Sequence, residues 1–140
     1  MSDEATARAN EFFGPLAPGL HGVVFDSVAP DKVVGHIDVT APLIAGTGFL
    51  FAPAIISLAD TLCASGCGAN LTEGQSFTTV ELKTNFLSSA REGERVVGVA
   101  IPAHVGRRTH VWDVVVTNQT TDRTMALFRC TQMVLEKPNP

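Results

Sequence analysis

Asp60 is the residue whose surroundings point first to chemistry. It is the only charged side chain between Val39 and Thr72, inside the run G-T-G-F-L-F-A-P-A-I-I-S-L-A-D-T-L-C-A-S-G-C-G-A-N-L from Gly46 to Leu71. A carboxylate in apolar surroundings is costly to keep charged unless its pKa rises or a partner compensates. Such a group can take a proton from water or attack an electrophile itself. A perturbed carboxylate is one signature of a functional site. A carboxylate satisfied by backbone donors or by a partner subunit fits the same pattern. Pro53 suits a first helical position, where its missing N–H would have no partner anyway. At helical spacing two faces then separate. Ile55, Leu58, Ala59 and Leu62 form an apolar face; Ser57, Asp60, Thr61, Ala64 and Ser65 form one of small and polar groups.

The other reactive side chains carry weaker patterns. Cys63, Cys67 and Cys130 are odd in number, lack zinc spacing and read as inert core thiols. His21, His36, His104 and His110 show no metal spacing and read as polar strand or turn residues. No G-x-S-x-G is present, so no serine hydrolase is indicated. Gly46-Thr47-Gly48 precedes a helix, but the dinucleotide pattern is incomplete. No metal or cofactor is expected.

The elements that must position Asp60 follow from the rest of the chain. Its 140 residues make one ordinary domain, 1–140, able to bury a core without staples. Hydrophobic residues are 45% and charged ones 17%, apolar enough that another copy of the chain is expected to cover part of the surface. The net charge of −4 argues against a general nucleic-acid binder. The N-terminus is polar and acidic, unlike a signal peptide, and no apolar run approaches a spanning length of about 20 residues. A cytoplasmic protein with no membrane association is therefore expected.

A first helix is predicted from a Ser2 cap to about Phe13, stopping at G-P-L-A-P-G. His21–Ala29 and Lys32–Thr40 read as a hairpin turning at Pro30-Asp31. A glycine-rich loop then leads into the central helix, from about Pro53 to Asn70. Four further strands read as Ser76–Leu87, Glu94–His104, Arg108–Asn118 and Thr124–Leu135, followed by a frayed tail. In the first of these, Val80, Leu82 and Phe86 alternate against Thr79, Glu81, Lys83 and Asn85. The pattern is α+β, with a six-stranded, curved, mainly antiparallel sheet around one long helix. One chain would leave the helix's polar face and the sheet edges uncovered, which predicts a dimer or tetramer.

Three segments in this order carry a resemblance: S-L-A-D-T on the helix, T-V-E-L-K-T-N-F-L on a strand, and H-V-G-R-R-T-H-V-W-D at a turn. Together they resemble the hotdog-fold acyl-CoA thioesterases of the phenylacetate-pathway (PaaI-like) type, over roughly Ala41 to Val134. The resemblance implies a hotdog fold, an acyl-CoA substrate and an active site between two subunits. It implies Asp60 as the catalytic carboxylate, acting as general base or nucleophile. It implies the backbone amide of Ala52 as the donor to the thioester carbonyl, a role a helix N-terminus suits. Phe49 and Phe51 would make an apolar entrance for an aryl or hydrophobic acyl group, with Ser57 and Thr61 as further substrate contacts. Arg107 and Arg108 would bind CoA phosphates, with Lys83 and Asn85, and also Arg91, adding to the patch.

The chain departs from the family pattern at one turn. The usual His-Gly-Gly is Phe51-Ala52-Pro53, and an asparagine common at the loop start is Ala45. The departure keeps an alternative open: a non-catalytic hotdog protein that binds acyl-CoA or an aromatic ligand. A hotdog dehydratase ranks last, since no histidine lies near Asp60 in sequence.

Overall fold

A computed structural model describes residues 2–136, without the side chain of Ser2. The expected Ser2 cap and the tail beyond residue 136 lie outside the described residues. Helix α1 (Ser2–Phe13) and a short α2 (Ala17–Leu20) precede strands β1 (Val23–Ala29) and β2 (Lys32–Asp38). These two strands form the expected hairpin, with Ala29 opposite Lys32. A 3-10 turn at Ala41–Leu43 leads to α3 (Ala52–Ala69). Strands β3 (Gln75–Phe86), β4 (Arg95–Val105), β5 (Thr109–Asn118) and β6 (Arg123–Glu136) complete the chain. The sheet order is β1-β2-β4-β5-β6-β3, and every neighbouring pair is antiparallel. The chain leaves the sheet after β2, passes through α3 and returns at the opposite edge as β3.

α3 touches all six strands, so the sheet curls round it. Leu58 and Leu62 are fully buried at its centre. They fit because the sheet carries glycine where the helix approaches. A Cβ added at Gly35 or Gly98 would lie 2.7 Å from a Leu62 methyl. On the helix side, a Cβ at Gly66 would lie 2.4 Å from the Trp112 ring. Trp112, Val114 and Val116 bury the inner face of β5, while Val115 points outward. Helix α3 is long and apolar enough, by length and composition alone, to cross a membrane. Here Ala54, Ile55, Leu58, Ala59, Leu62 and Cys63 belong instead to the hydrophobic core, and Cys67 is buried beside them.

Several boundaries and faces differ from the sequence reading. α3 begins one residue before Pro53, so Ala52 and Pro53 both lie in its first turn. Thr61, assigned to the polar face, is buried; its neighbours Ser57, Asp60, Ala64 and Ser65 are half-exposed. In β3 the alternation breaks at a bulge between Thr79 and Glu81. Val80 is the bulged residue, and Leu82 and Phe86 come onto the same face as Thr79; the three are 51%, 40% and 46% exposed along this edge strand. α2 and the 3-10 turn went unseen, because proline and glycine there read only as breakers.

Candidate active site

α3 lifts Asp60 out of the core by half a helix circumference. Leu58, Ala59 and Leu62 turn inward, so Asp60 comes to the half-buried side facing β3. There the Thr79 hydroxyl donates to Asp60 Oδ1 at 3.3 Å. This is the only hydrogen bond Asp60 makes among the described residues, and no cation pairs with it there. Burial pushes its carboxyl above the usual value, and the Thr79 bond only partly opposes that rise. A higher pKa makes a carboxylate a better base near neutral pH. Thr79 escaped the sequence reading because alternation alone put it on the face away from the apolar residues. The bulge one residue later is what lets Thr79 face the helix while Val80 stays exposed.

Ala52 opens α3, and its N–H belongs to the amides a helix N-terminus leaves without intrahelical partners. The loop before it is tightly held. Ala45 N–H donates to Phe49 O at 2.8 Å, Gly48 N–H to Ala45 O at 2.9 Å and Phe51 N–H to Leu43 O at 2.9 Å. Gly48 has φ +87°, a conformation that favours glycine. Ala54 N–H closes the first turn onto Phe51 O at 2.9 Å. Phe51 is 47% exposed and faces a depression shared with Ile44, Ala45 and Ala54. Phe49 turns the other way, and the Arg91 guanidinium sits 4.7 Å from its ring centre. Phe49 and Phe51 thus flank the helix start on different sides.

The four CoA-binding candidates fall into two separate places within one chain. Arg107 and Arg108, both exposed, line a depression of about 590 Å³ with Thr109, Met133, Val134 and Glu136. Neither arginine has an ion-pair partner among the described residues. Lys83 and Asn85 line another, of about 240 Å³, beside the Asp113–Arg129 pair. Arg91 belongs to a third, with Phe49 and Arg123. Of the substrate candidates on α3, Ser57 shares the side of Asp60 and Thr61 points inward.

Cys63, Cys67 and Cys130 are buried and free. Burial pushes the Cys67 thiol up to about 12, and burial beside Cys130 pushes Cys63 up further. His36 Nδ1 lies 2.9 Å from Asp26, away from α3. Burial, then His104, hold His110 below the usual histidine range, while a Gly106 backbone hydrogen bond opposes them. Among the described residues no three His, Cys, Asp or Glu side chains cluster as a metal site.

Comparison with known proteins agrees with the fold and with this helix. The family profile described as Thioesterase superfamily matches residues 47–125, from the glycine loop through α3 into β6. The chain is 33% identical to the 1,4-dihydroxy-2-naphthoyl-CoA hydrolase of Escherichia coli, over 69% of this chain and 70% of that one. It is 27% identical to the enzyme of the same name from Listeria monocytogenes, over 83% of this chain and 93% of that one. The solved structure of the E. coli PaaI protein from the phenylacetic acid degradation operon superposes with a TM-score of 0.83 at 26% identity, covering 97% of this chain and 96% of that one. A profile spanning more than half the chain, the helix that carries Asp60 included, leads to one conclusion: this chain belongs to the thioesterase superfamily, as a hotdog-fold thioester hydrolase of the phenylacetate-pathway type.

Proposed function

We propose that the protein hydrolyses an aryl or hydrophobic acyl-CoA to the free acid and CoA, with Asp60 as the catalytic carboxylate. The observation that carries this is the state of Asp60: half-buried, its pKa raised by burial, and, among the described residues, without a cation and held by one hydroxyl. As general base, Asp60 takes a proton from water while the hydroxide oxygen bonds to the thioester carbonyl carbon. The carbonyl oxygen gains negative charge and accepts a hydrogen bond from the Ala52 amide. Collapse breaks the C–S bond, and the CoA thiolate takes the proton from Asp60. As nucleophile, Asp60 would instead attack the carbonyl carbon and expel the CoA thiolate, forming an anhydride that water cleaves to the free acid and the Asp60 carboxylate. Two relatives named for hydrolysis of an aromatic acyl-CoA support the substrate class. Phe49, Phe51, Ser57 and Thr61 are the proposed acyl-side contacts. Arg107 and Arg108, with Lys83 and Asn85, are proposed for the CoA phosphates, and CoA chemistry suits a cytoplasmic protein.

Helix geometry argues that the working site needs two copies. Between positions 52 and 60 a helix rises about 12 Å at 1.5 Å per residue. Both groups must come within about 3 Å of one reacting carbonyl. No single α3 can do that. An antiparallel second α3 brings Asp60 of one protomer beside the Ala52 amide of its partner. The apolar β3 edge, with Val80, Leu82 and Phe86 exposed, supplies a surface for that pairing. We therefore propose a dimer as the active unit, with a tetramer as the fuller assembly.

Mixed dimers test this. Ala52→Pro removes the amide proton yet suits a helix start, and Phe51 already has the extended ψ of 122° that precedes proline comfortably. Alone, Ala52→Pro and Asp60→Asn should each abolish turnover. A mixture exchanged through unfolding and refolding should regain up to about a quarter of wild-type activity, because half the dimers are mixed and each holds one intact site. No recovery would rule out the shared site. The replacement of His-Gly-Gly by Phe51-Ala52-Pro53 favours a second reading, a ligand-binding protein without turnover. Binding of CoA esters with no hydrolysis across a broad acyl panel would decide for it.

A further inference from the structure

Buried polar atoms without a partner gather on the inner face of the sheet, in a row that ends at the candidate site. Gln132 is fully buried, and neither Oε1 nor Nε2 of its amide is hydrogen-bonded to any described residue. His110 is 2% exposed, and its Nδ1 is likewise unpaired there. Gln132 on β6 stands in register with Thr79 on β3 at one side and with His110 on β5 at the other. Residues opposite each other in such a ladder have Cβ atoms about 4.5–5.5 Å apart, close enough for their side chains to meet. The row is therefore Thr79–Gln132–His110, and Thr79 is the residue that donates to Asp60.

A buried primary amide without partners is costly, and its chemistry here fits Thr79. The Thr79 proton is committed to Asp60 Oδ1, which leaves the lone pairs of Oγ1 free to accept. An amide N–H is the donor that would complete this arrangement. The other unpaired buried donors are badly placed for it. Trp112 Nε1 and His110 lie on β5, two strands or about 9–10 Å from β3. Thr84 stands further along β3, opposite Phe128, and His21 precedes β1 at the far edge of the sheet. His110 suits the other end of the amide. Burial, then His104, hold its ring below the usual histidine range, and a neutral imidazole can accept from an amide N–H or donate to an amide oxygen. The Thr79–Asp60 contact, at 3.3 Å, is longer than a seated O–H···O⁻ bond of about 2.5–2.7 Å, as catalytic bonds in free enzymes often are. The titratable groups packed around the row are Asp60, Cys63 and Cys67 on α3, Cys130 on β6 and His110 on β5, with His104 of β4 beside it. On β3, Glu81 meets Thr131 on the other face of the sheet.

We propose that Gln132 is a positioning residue of this site: its amide N–H donates to Thr79 Oγ1 and so fixes the Thr79 hydroxyl on Asp60. The inference rests on the assignment of Asp60 as the catalytic carboxylate. Hydrogen bonds in a chain polarise one another, so a donor behind Thr79 makes its hydroxyl a stronger donor to the carboxylate. A Thr79 side chain held from behind also cannot turn its hydroxyl away from Asp60 during turnover. Gln132 itself touches neither the substrate nor the carboxylate; it acts through Thr79.

A double-mutant cycle on the full-length protein tests this. Gln132→Met keeps the length of the side chain and removes its hydrogen bonds; Gln132→Leu replaces it should the Met variant not fold. Thr79→Val removes the hydroxyl. Steady-state kinetics on an aryl-CoA are followed from pH 4 to 9 for the wild type, both single variants and the pair. Gln132→Met should lower kcat about 10-fold or more, the scale of a reacting group displaced by less than about 1 Å, with KM within about twofold of wild type. The Thr79 bond lowers the pKa of Asp60, so weakening it should move the acid limb of kcat/KM to higher pH. Thr79→Val should do the same, and the double variant should be no worse than Thr79→Val alone. A structural glutamine predicts a changed Tm with kcat and the pH profile in place, and that result overturns the proposal. Losses that multiply in the double variant overturn it too, because Gln132 then does not act through Thr79. Turnover that survives Asp60→Asn sinks the Asp60 reading instead. Carbon NMR titration of the Asp60 carboxyl in wild type and Gln132→Met needs no turnover and separates the two failures: a raised pKa in the variant supports the link from Gln132 to Asp60, and an unchanged one refutes it.

Discussion

Replacing Asp60 by asparagine separates a catalyst from a structural carboxylate, because the two roles predict opposite signs of stability change. The amide keeps the shape and an acceptor at the Oδ1 position, so the Thr79 bond at 3.3 Å persists. Weakening that bond costs at most about 1 kcal/mol. Removing a half-buried charge relieves a desolvation penalty of about 1–3 kcal/mol. Burial is the larger of the two influences on this group, so the net change at neutral pH is a gain of about 1 kcal/mol, about 3 °C in Tm. The sign can be checked through pH. The folded pKa of Asp60 lies above its unfolded value of 3.8, so the wild type loses stability as pH rises from there through the folded pKa. The gap between variant and wild type should be full at neutral pH and close below 3.8, where both side chains are neutral. Over the same proteins, kcat on an aryl-CoA should fall about 10²- to 10⁴-fold, the scale of a positioned acid–base group. Thermal unfolding from pH 3 to 8 and steady-state thioester assays provide both readouts. A variant less stable at every pH, with turnover intact, would refute the reasoning.

Three further outcomes follow from the packing and the charges. Gly66→Ala drives a Cβ to 2.4 Å from the buried Trp112 ring and should cost about 1–3 kcal/mol, whereas Gly68→Ala meets nothing and should gain up to about 1 kcal/mol; denaturant titration distinguishes them. The Arg129 guanidinium holds Asp113 below the usual carboxylate range, so the pair stabilises the fold above 3.8 and the contribution is lost as pH falls through the folded pKa; Asp113→Asn should flatten the acid limb of the stability curve. Replacing Arg107 and Arg108 together by alanine should raise KM for acyl-CoA with little change in kcat, because phosphate contacts act equally on ground and transition states; an unchanged KM removes them from the CoA site.

Local chemistry was enough to place most of the fold. One carboxylate in a long uncharged run, a proline at the helix start and valine-rich segments between turn residues marked α3 and all six strands nearly to the residue. These signals are short-range: helix periodicity, turn propensity and alternation are properties of neighbours in sequence. The resemblance carried Asp60 and Ala52 as a pair, and their spacing on one helix already sets them about 12 Å apart. Only the tertiary structure decided which way each polar group faces. The bulge after Thr79 is a mismatch between β3 and β6, invisible in either strand alone, and it brings a hydroxyl to Asp60 and leaves Val80 outside. Thr61 is buried because the curled sheet reaches further round α3 than a two-face helix suggests. Likewise α1 became a wall beside α3 only because Asn10 bonds the β1 edge, a contact across 15 positions of sequence that no local pattern encodes.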